Sequence, residues 1–294
     1  MNNVNGILLV VASMAAFTLE DMFVKQLSDT VSTGQILVVL GVVSSIVFLG
    51  MAVVTRKRIF LRQAWQPIPL LRAATETVGA LTFVTALSLV DLSTVAAVFQ
   101  ALPLTITMGA ALFMGEQVGW RRWSAIFVGF AGVLLIIRPG TDAFQPESLF
   151  VVATVIAIAA RDLITRLIDP RVPSAVVASQ AYLALILSGA ALMLFTSEPV
   201  VPLQHGQIWL YAGALVFGVL GYYGIVTAMR VGEASAITPF RYTRLLFSIL
   251  AGMLVFGERP DTLTLLGASL IIGSGLYTFV RERRLAREMA LAAV

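Results

Sequence analysis

The chain has 294 residues, 59% hydrophobic and only 12% charged, with a mean hydropathy of +0.92. A soluble domain is about 45–50% apolar and about 25% charged, so the composition excludes that class and indicates an all-α integral membrane protein. The chain contains no cysteine, which excludes disulfides and thiolate metal sites. A pI of 9.8 is read as basic loops beside an anionic leaflet; no nucleic-acid partner, cofactor or metal is expected.

Ten apolar stretches follow one another: 5–27, 32–54, 68–90, 93–115, 120–138, 148–168, 174–196, 207–230, 234–256 and 262–280. Each has about the 20 residues that a helix needs to cross a bilayer. The first starts almost at Met1, without a basic leader or a small-residue cleavage site, and is read as a retained helix. It carries Glu20 and Asp21, which point about 100° apart on a helix, so one of them faces the pathway. Lys25, four residues after Asp21, is expected to pair with it or to anchor at the membrane surface.

Span 3 contains Arg72 and Glu76 at i, i+4 spacing. Arg72 lies near the inner end and is expected to be structural, whereas the deeper Glu76 is a candidate for a cavity wall. Span 4 holds Phe99, Gln100 and Pro103, polar or kinked but uncharged. Span 6 contains Arg161 and Asp162, with Arg166 closing it.

Span 9 carries Arg241 and Arg244, one helix face apart, with Tyr242 between them and Pro239 just before. An arginine at the centre of a span costs about 2.5–3.5 kcal/mol on insertion scales, so this face must meet partners, water or a ligand. Glu116 and Glu258 close spans 4 and 9 at helix ends where a carboxylate opposes the dipole; they are assigned to loop bonding. His205 is expected in a solvated outer loop. Tyr182, Tyr222 and Tyr223 either pack or stack a ligand.

Within the spans, Arg72, Arg161, Arg241 and Arg244 balance Glu20, Asp21, Glu76 and Asp162. Isolated, at about 3 kcal/mol each, they would cost on the order of 24 kcal/mol, more than a typical folding stability. Most are therefore paired or in water. A closed structural network is one reading; a polar pathway is preferred, because ionisable groups in membranes mark pathways.

Thirteen of the 20 Lys and Arg fall on one face, in the loop at Arg56–Arg62, at Arg121 and Arg122, at Arg166, Arg171 and Arg230, and in the tail from Arg281 to Arg287. Three, Lys25, Arg138 and Arg259, fall on the other. The positive-inside rule then puts both termini in the cytoplasm.

Shifted by 142 residues, the chain resembles itself: Gly79 falls on Gly221, Val84-Thr85-Ala86 on Val226-Thr227-Ala228, Asp91 on Glu233, Ser93 on Ser235 and Gly115-Glu116 on Gly257-Glu258. Near the start of each half, Asp21 falls on Asp162 and Lys25 on Arg166. Five spans per half make the second half inverted, the plan of secondary transporters. The two repeats are taken as 1–140 and 141–294, the second ending in a short basic tail.

The doubled unit, the Gly-Glu closures and the run from Pro239-Phe240 to Phe256-Gly257-Glu258-Arg259-Pro260-Asp261 resemble the drug/metabolite transporter superfamily in its ten-helix EamA branch. The resemblance covers the whole chain. It implies ten transmembrane helices as two inverted five-helix repeats, transport without enzymatic turnover, and a cavity lined by spans 1, 3, 4, 6, 8 and 9. Abundant charge within the spans departs from the average member.

The expected function is secondary transport, by alternating access across the inner membrane, of a small polar, zwitterionic or anionic metabolite of amino-acid-like character. A proton or counter-substrate is the expected coupled partner, and nothing sets an oligomeric state. Expected substrate-binding residues are Arg241, Arg244, Arg161, Glu20, Asp21, Glu76, Tyr242, Phe99 and Gln100. The arginines suit a carboxylate or phosphate, Glu20 or Asp21 a cation or proton, and Phe17, Phe99, Phe240 and Tyr242 a ring. Glu20 and Arg161, repeat-equivalent and opposite in charge, are expected to face one cavity. A channel, or a membrane-embedded enzyme, is the alternative; no P-loop, nucleophile elbow or HExxH motif supports the latter.

Overall fold

The computed structural model describes residues 3–54, 62–169, 171–172, 174–196, 200–231 and 237–292. Arg56, Lys57 and Arg58 of the basic loop, and the repeat positions Glu233 and Ser235, lie outside the described residues. Among the described residues all regular structure is helical. The helices are α1 (Asn3–Ser28), α2 (Thr33–Val54), α3 (Pro67–Leu89), α4 (Leu92–Phe99), α5 (Leu102–Phe113), α6 (Trp120–Ile137), α7 (Leu149–Thr165), α8 (Ser174–Thr196), α9 (His205–Val231), α10 (Thr243–Val255) and α11 (Thr262–Ala292). Seven described helical stretches are long and apolar enough to cross a membrane, with shorter apolar stretches at Thr33–Val47 and Ser179–Phe195. The architecture is all-helical and consistent with ten spans. His205, expected in a loop, instead opens α9.

Spans 4 and 9 are discontinuous. α4 stops at Phe99 and α5 restarts at Leu102, with Pro103 in its first turn. A proline ring clashes with the carbonyl four residues back and supplies no N–H, so the chain parts between Phe99 and Leu102. In span 9 the described residues pass from helical Ile237 into a 3-10 turn, Thr238–Tyr242, containing Pro239, and then into α10 at Thr243. Under the 142-residue shift Gln100 meets Tyr242 and Ala101 meets Thr243. Both repeats therefore break at equivalent points.

The helices form two compact units, each assembled from both halves of the chain. The first comprises Met1–Glu20, Asp91–Pro146 and Val216–Val294, and the second Asp21–Val90 and Glu147–Leu215. In the first unit α6 packs on α11 and α4 on α10. Gly132 and Gly267 let backbones touch, since a Cβ on either would lie 2.5 Å from the other's carbonyl oxygen. Val10, Met14, Ala228 and Ile237 form a core there. In the second unit α2 packs on α8, and α3 on both α7 and α8, with Ala64, Val172, Val176 and Val177 as a smaller cluster.

Polar side chains finish several helix ends. In the second unit the Lys25 ammonium donates to the carbonyls of Leu87 at 3.1 Å and Val90 at 2.6 Å, where a cation complements the C-terminal dipole of α3. This gives Lys25 a more specific task than a surface anchor. In the first unit Glu258, buried, accepts the N–H groups of Leu92 at 2.6 Å and Ser93 at 2.9 Å, a carboxylate on the N-terminus of α4.

Candidate functional site

The first unit contains six of the nine expected residues, five of them (Phe99, Gln100, Arg241, Tyr242 and Arg244) at its two helix breaks and Glu20 on α1. The anchor is Arg244, the second residue of α10. Its guanidinium carbon lies 5.4 Å from the ring centroid of Phe17 on α1 and 5.4 Å from that of Phe99 at the end of α4. Both distances are in the range where a cation is attracted to the negative face of a ring. One arginine is thus held by two phenyl rings from two other helices, at the break where span 4 parts.

Small residues position the α1 side chains. A Cβ on Gly221 of α9 would lie 2.9 Å from the Phe17 ring, and one on Gly218 would lie 2.7 Å from the Glu20 carboxylate. The ring and the carboxylate therefore rest directly on the α9 backbone, one helical turn apart. Thr18 and Ser248, both buried, share a 3.3 Å hydrogen bond that ties α1 to α10. In the 3-10 turn Arg241 is exposed and Tyr242 half-buried, with the Tyr242 hydroxyl against Gly275 of α11. Gln100, the residue that ends α4, is buried at 8% exposure.

Asp21, Glu76 and Arg161 belong to the second unit. Arg161 on α7 reaches Glu76 on α3 at 2.8 Å and Asp162 at 2.7 Å. Arg72 pairs with Glu76 at 3.0 Å and donates to Thr165 at 3.1 Å. Two arginines and two carboxylates thus clasp α3 to α7, which offsets the insertion cost computed for isolated charges. Asp162 also accepts from its neighbour Arg161 at 2.9 Å. Asp21 is buried on α1.

Outside the spans, Arg138 caps α6 in the left-handed region at φ 55°. Its guanidinium meets the carboxylate of Asp261, which also accepts the N–H of Thr264 at 2.9 Å in the first turn of α11. The Arg138 hydrogen bond, then those of Thr264, hold the Asp261 carboxyl down to about 2.

Reasoning from the sequence missed the seats at Gly218 and Gly221. The signal was the glycine spacing at 218, 221 and 224, which places small residues on one face of α9.

A family model described as the EamA-like transporter family matches residues 4–138 and 146–280. A protein named S-adenosylmethionine uptake transporter, from Rickettsia prowazekii (strain Madrid E), is 27% identical over 290 residues, 95% of this chain and 94% of the relative. A riboflavin transporter from Vibrio cholerae serotype O1 is 33% identical over 194 residues, 65% of this chain and 63% of that one. A solved crystal structure has the same fold at 20% identity, with a TM-score of 0.63 over 93% of this chain and 98% of that one. The chain, matched through both of its halves, belongs to the EamA-like transporter family and is a multi-pass membrane transporter of small metabolites, not an enzyme.

Proposed function

We propose that the chain carries a zwitterionic, amino-acid-like metabolite with a planar ring attached, across the inner membrane and by alternating access. S-adenosylmethionine, named in several relatives, has this chemistry: a carboxylate, cationic ammonium and sulfonium centres, and an adenine. The observation that carries the reading is Arg244 over Phe17 and Phe99, with Arg241 one turn away and Glu20 on the same helix as Phe17. The two rings orient the guanidinium, and a guanidinium fork suits a carboxylate. Glu20 supplies the negative charge for the cationic centre. Arg161, Glu76 and Arg72 maintain the α3–α7 clasp.

Riboflavin is the second reading, favoured by the Vibrio cholerae relative. It has a larger ring system but no carboxylate, so its transport has no need of two arginines. The test is counterflow of labelled S-adenosylmethionine in proteoliposomes, with riboflavin, methionine and adenosine as competitors. Saturable counterflow, inhibited by the unlabelled compound and weakened in Arg244→Gln, is the expected result. Riboflavin counterflow untouched by Arg244→Gln, with none of S-adenosylmethionine, would replace the first reading by the second.

A further inference from the structure

Gln100 occupies an unusual place. Its backbone finishes α4, donating to the Ala97 and Val98 carbonyls, so the helix sets where its side chain starts. The residue is only 8% exposed, and the amide is not among the buried polar atoms that lack a partner, so with no hydrogen bond to another described residue, the exposure it keeps reaches the carboxamide. An amide that stays accessible at the end of an otherwise buried side chain is open to a ligand's hydrogen bonds. A carboxamide also carries more bonding capacity than most side chains, with two N–H donors beside a carbonyl that accepts.

Its surroundings narrow what that ligand is. Phe99, the preceding residue, lends its ring to Arg244. The repeat-equivalent residue, Tyr242, stands at the other helix break. Such breaks are where transporters of inverted-repeat design place their substrate. Charge is already supplied here by Arg241, Arg244 and Glu20, so a neutral amide adds directional hydrogen bonding and not attraction.

We infer that Gln100 is a specificity-determining residue that reads the edge of the substrate's ring: its amide takes a planar nitrogen heterocycle presenting a hydrogen-bond donor and an acceptor side by side. This rests on the transport site proposed above being the one around Arg244, but not on the substrate being zwitterionic. The pairing is the one glutamine makes with adenine, donating to N7 and accepting from the N6 amino group. The imide edge of a flavin, N3–H flanked by carbonyls, offers the same pattern. A phenyl ring, or a heterocycle with the donor alkylated, does not.

The experiment measures equilibrium binding to the purified full-length protein in detergent. The probes are S-adenosylmethionine, its N6,N6-dimethyl analogue, riboflavin and N3-methylriboflavin. Wild type should prefer at least one unalkylated ring over its alkylated partner by about tenfold or more. Gln100→Leu should lose that preference while keeping its ligand-free unfolding midpoint. Gln100→Glu keeps the size and polarity but removes the donors, and should weaken the unalkylated ring; it serves where Gln100→Leu folds poorly.

A wild-type protein blind to alkylation, or a Gln100→Leu protein that keeps the wild-type preference, overturns the role of Gln100. In the first case, tight S-adenosylmethionine binding leaves the zwitterion reading standing. Riboflavin binding with a preference that Gln100→Leu abolishes, without S-adenosylmethionine binding, sinks the zwitterion reading and supports Gln100. If wild type binds none of the four, both fall.

Discussion

Arg241 and Arg244 share one turn of chain but stand in different environments, and their substitutions should separate. Arg244 is held by Phe17 and Phe99, so Arg244→Gln removes the charge on which the proposed carboxylate site depends. Losing a charge-assisted hydrogen bond costs about 1.5–3 kcal/mol, or about ten- to hundredfold in affinity. Arg244→Lys restores the charge but neither the planar fork nor the ring contacts, so partial rescue of substrate affinity in proteoliposomes is expected. Arg241, exposed, should show a smaller loss on the same measurement. If Arg244→Gln transports normally, the carboxylate does not bind there. The sequence located these arginines, since cations inside an apolar run announce themselves. It did not show what held them: Phe17 lies more than two hundred residues away, and the repeat compares equivalent positions, not neighbours. Arg161 illustrates the same limit, because Glu76, its partner on α3, has no special relation to it under the 142-residue shift.

Helix ends carry the next set of expectations. Glu258 was read from the sequence as loop bonding; in the fold it holds the first two amides of α4, and α4 is the segment that ends at Phe99 and Gln100. Glu258→Ala should cost about 1–2 kcal/mol, the range for a lost cap, and lower the unfolding midpoint in detergent. Glu258→Gln keeps one acceptor and should lie between that variant and wild type. An unchanged midpoint in both would mean that water replaces the cap at no cost. Asp261 gives a pH dependence. Its carboxyl is held at about 2 in the folded chain, below the unfolded value of about 3.9. A depressed folded value stabilises the fold above the unfolded pKa, and that contribution fades as pH falls from about 4 toward about 2. Asp261→Asn should remove this part of the acid dependence, measured as the difference in unfolding midpoint between neutral pH and that window. Pro103 and Pro239 made both breaks partly legible, because a proline inside an apolar run predicts a discontinuity. The cap on α4 was not legible, since it joins residues 166 positions apart.

On the scale of the whole molecule, the ten spans and the inverted halves followed from hydropathy and the self-similar offset, because lipid forces every backbone group into helices. The compact units did not follow: each mixes segments of both halves, an outcome of packing that no single stretch encodes. Orientation is the remaining molecular property open to a direct test. α11 runs for 31 residues, Thr262–Ala292, about 46 Å at the helical rise per residue, whereas the hydrocarbon core is about 30 Å thick. Its apolar part is Thr262–Arg281, so the remaining turns, bearing Arg283, Arg284 and Arg287, project into water on the side of Arg281. The positive-inside rule counts such residues within about 15–20 positions of a span end, and an anionic cytoplasmic leaflet attracts each by about 1 kcal/mol. Reporter fusions after Val294 and in the Arg56–Arg62 loop should therefore read as cytoplasmic, and fusions near Asp29 and Gln204 as external. Replacing Arg281, Arg283, Arg284 and Arg287 with Gln should loosen the tail from anionic vesicles without inverting the protein, because Lys57 and the other arginines counted on the same face remain. In the unaltered chain, a C-terminus on the opposite side of the membrane from the Arg56–Arg62 loop would overturn the even number of spans, and with it the inverted relation of the two halves.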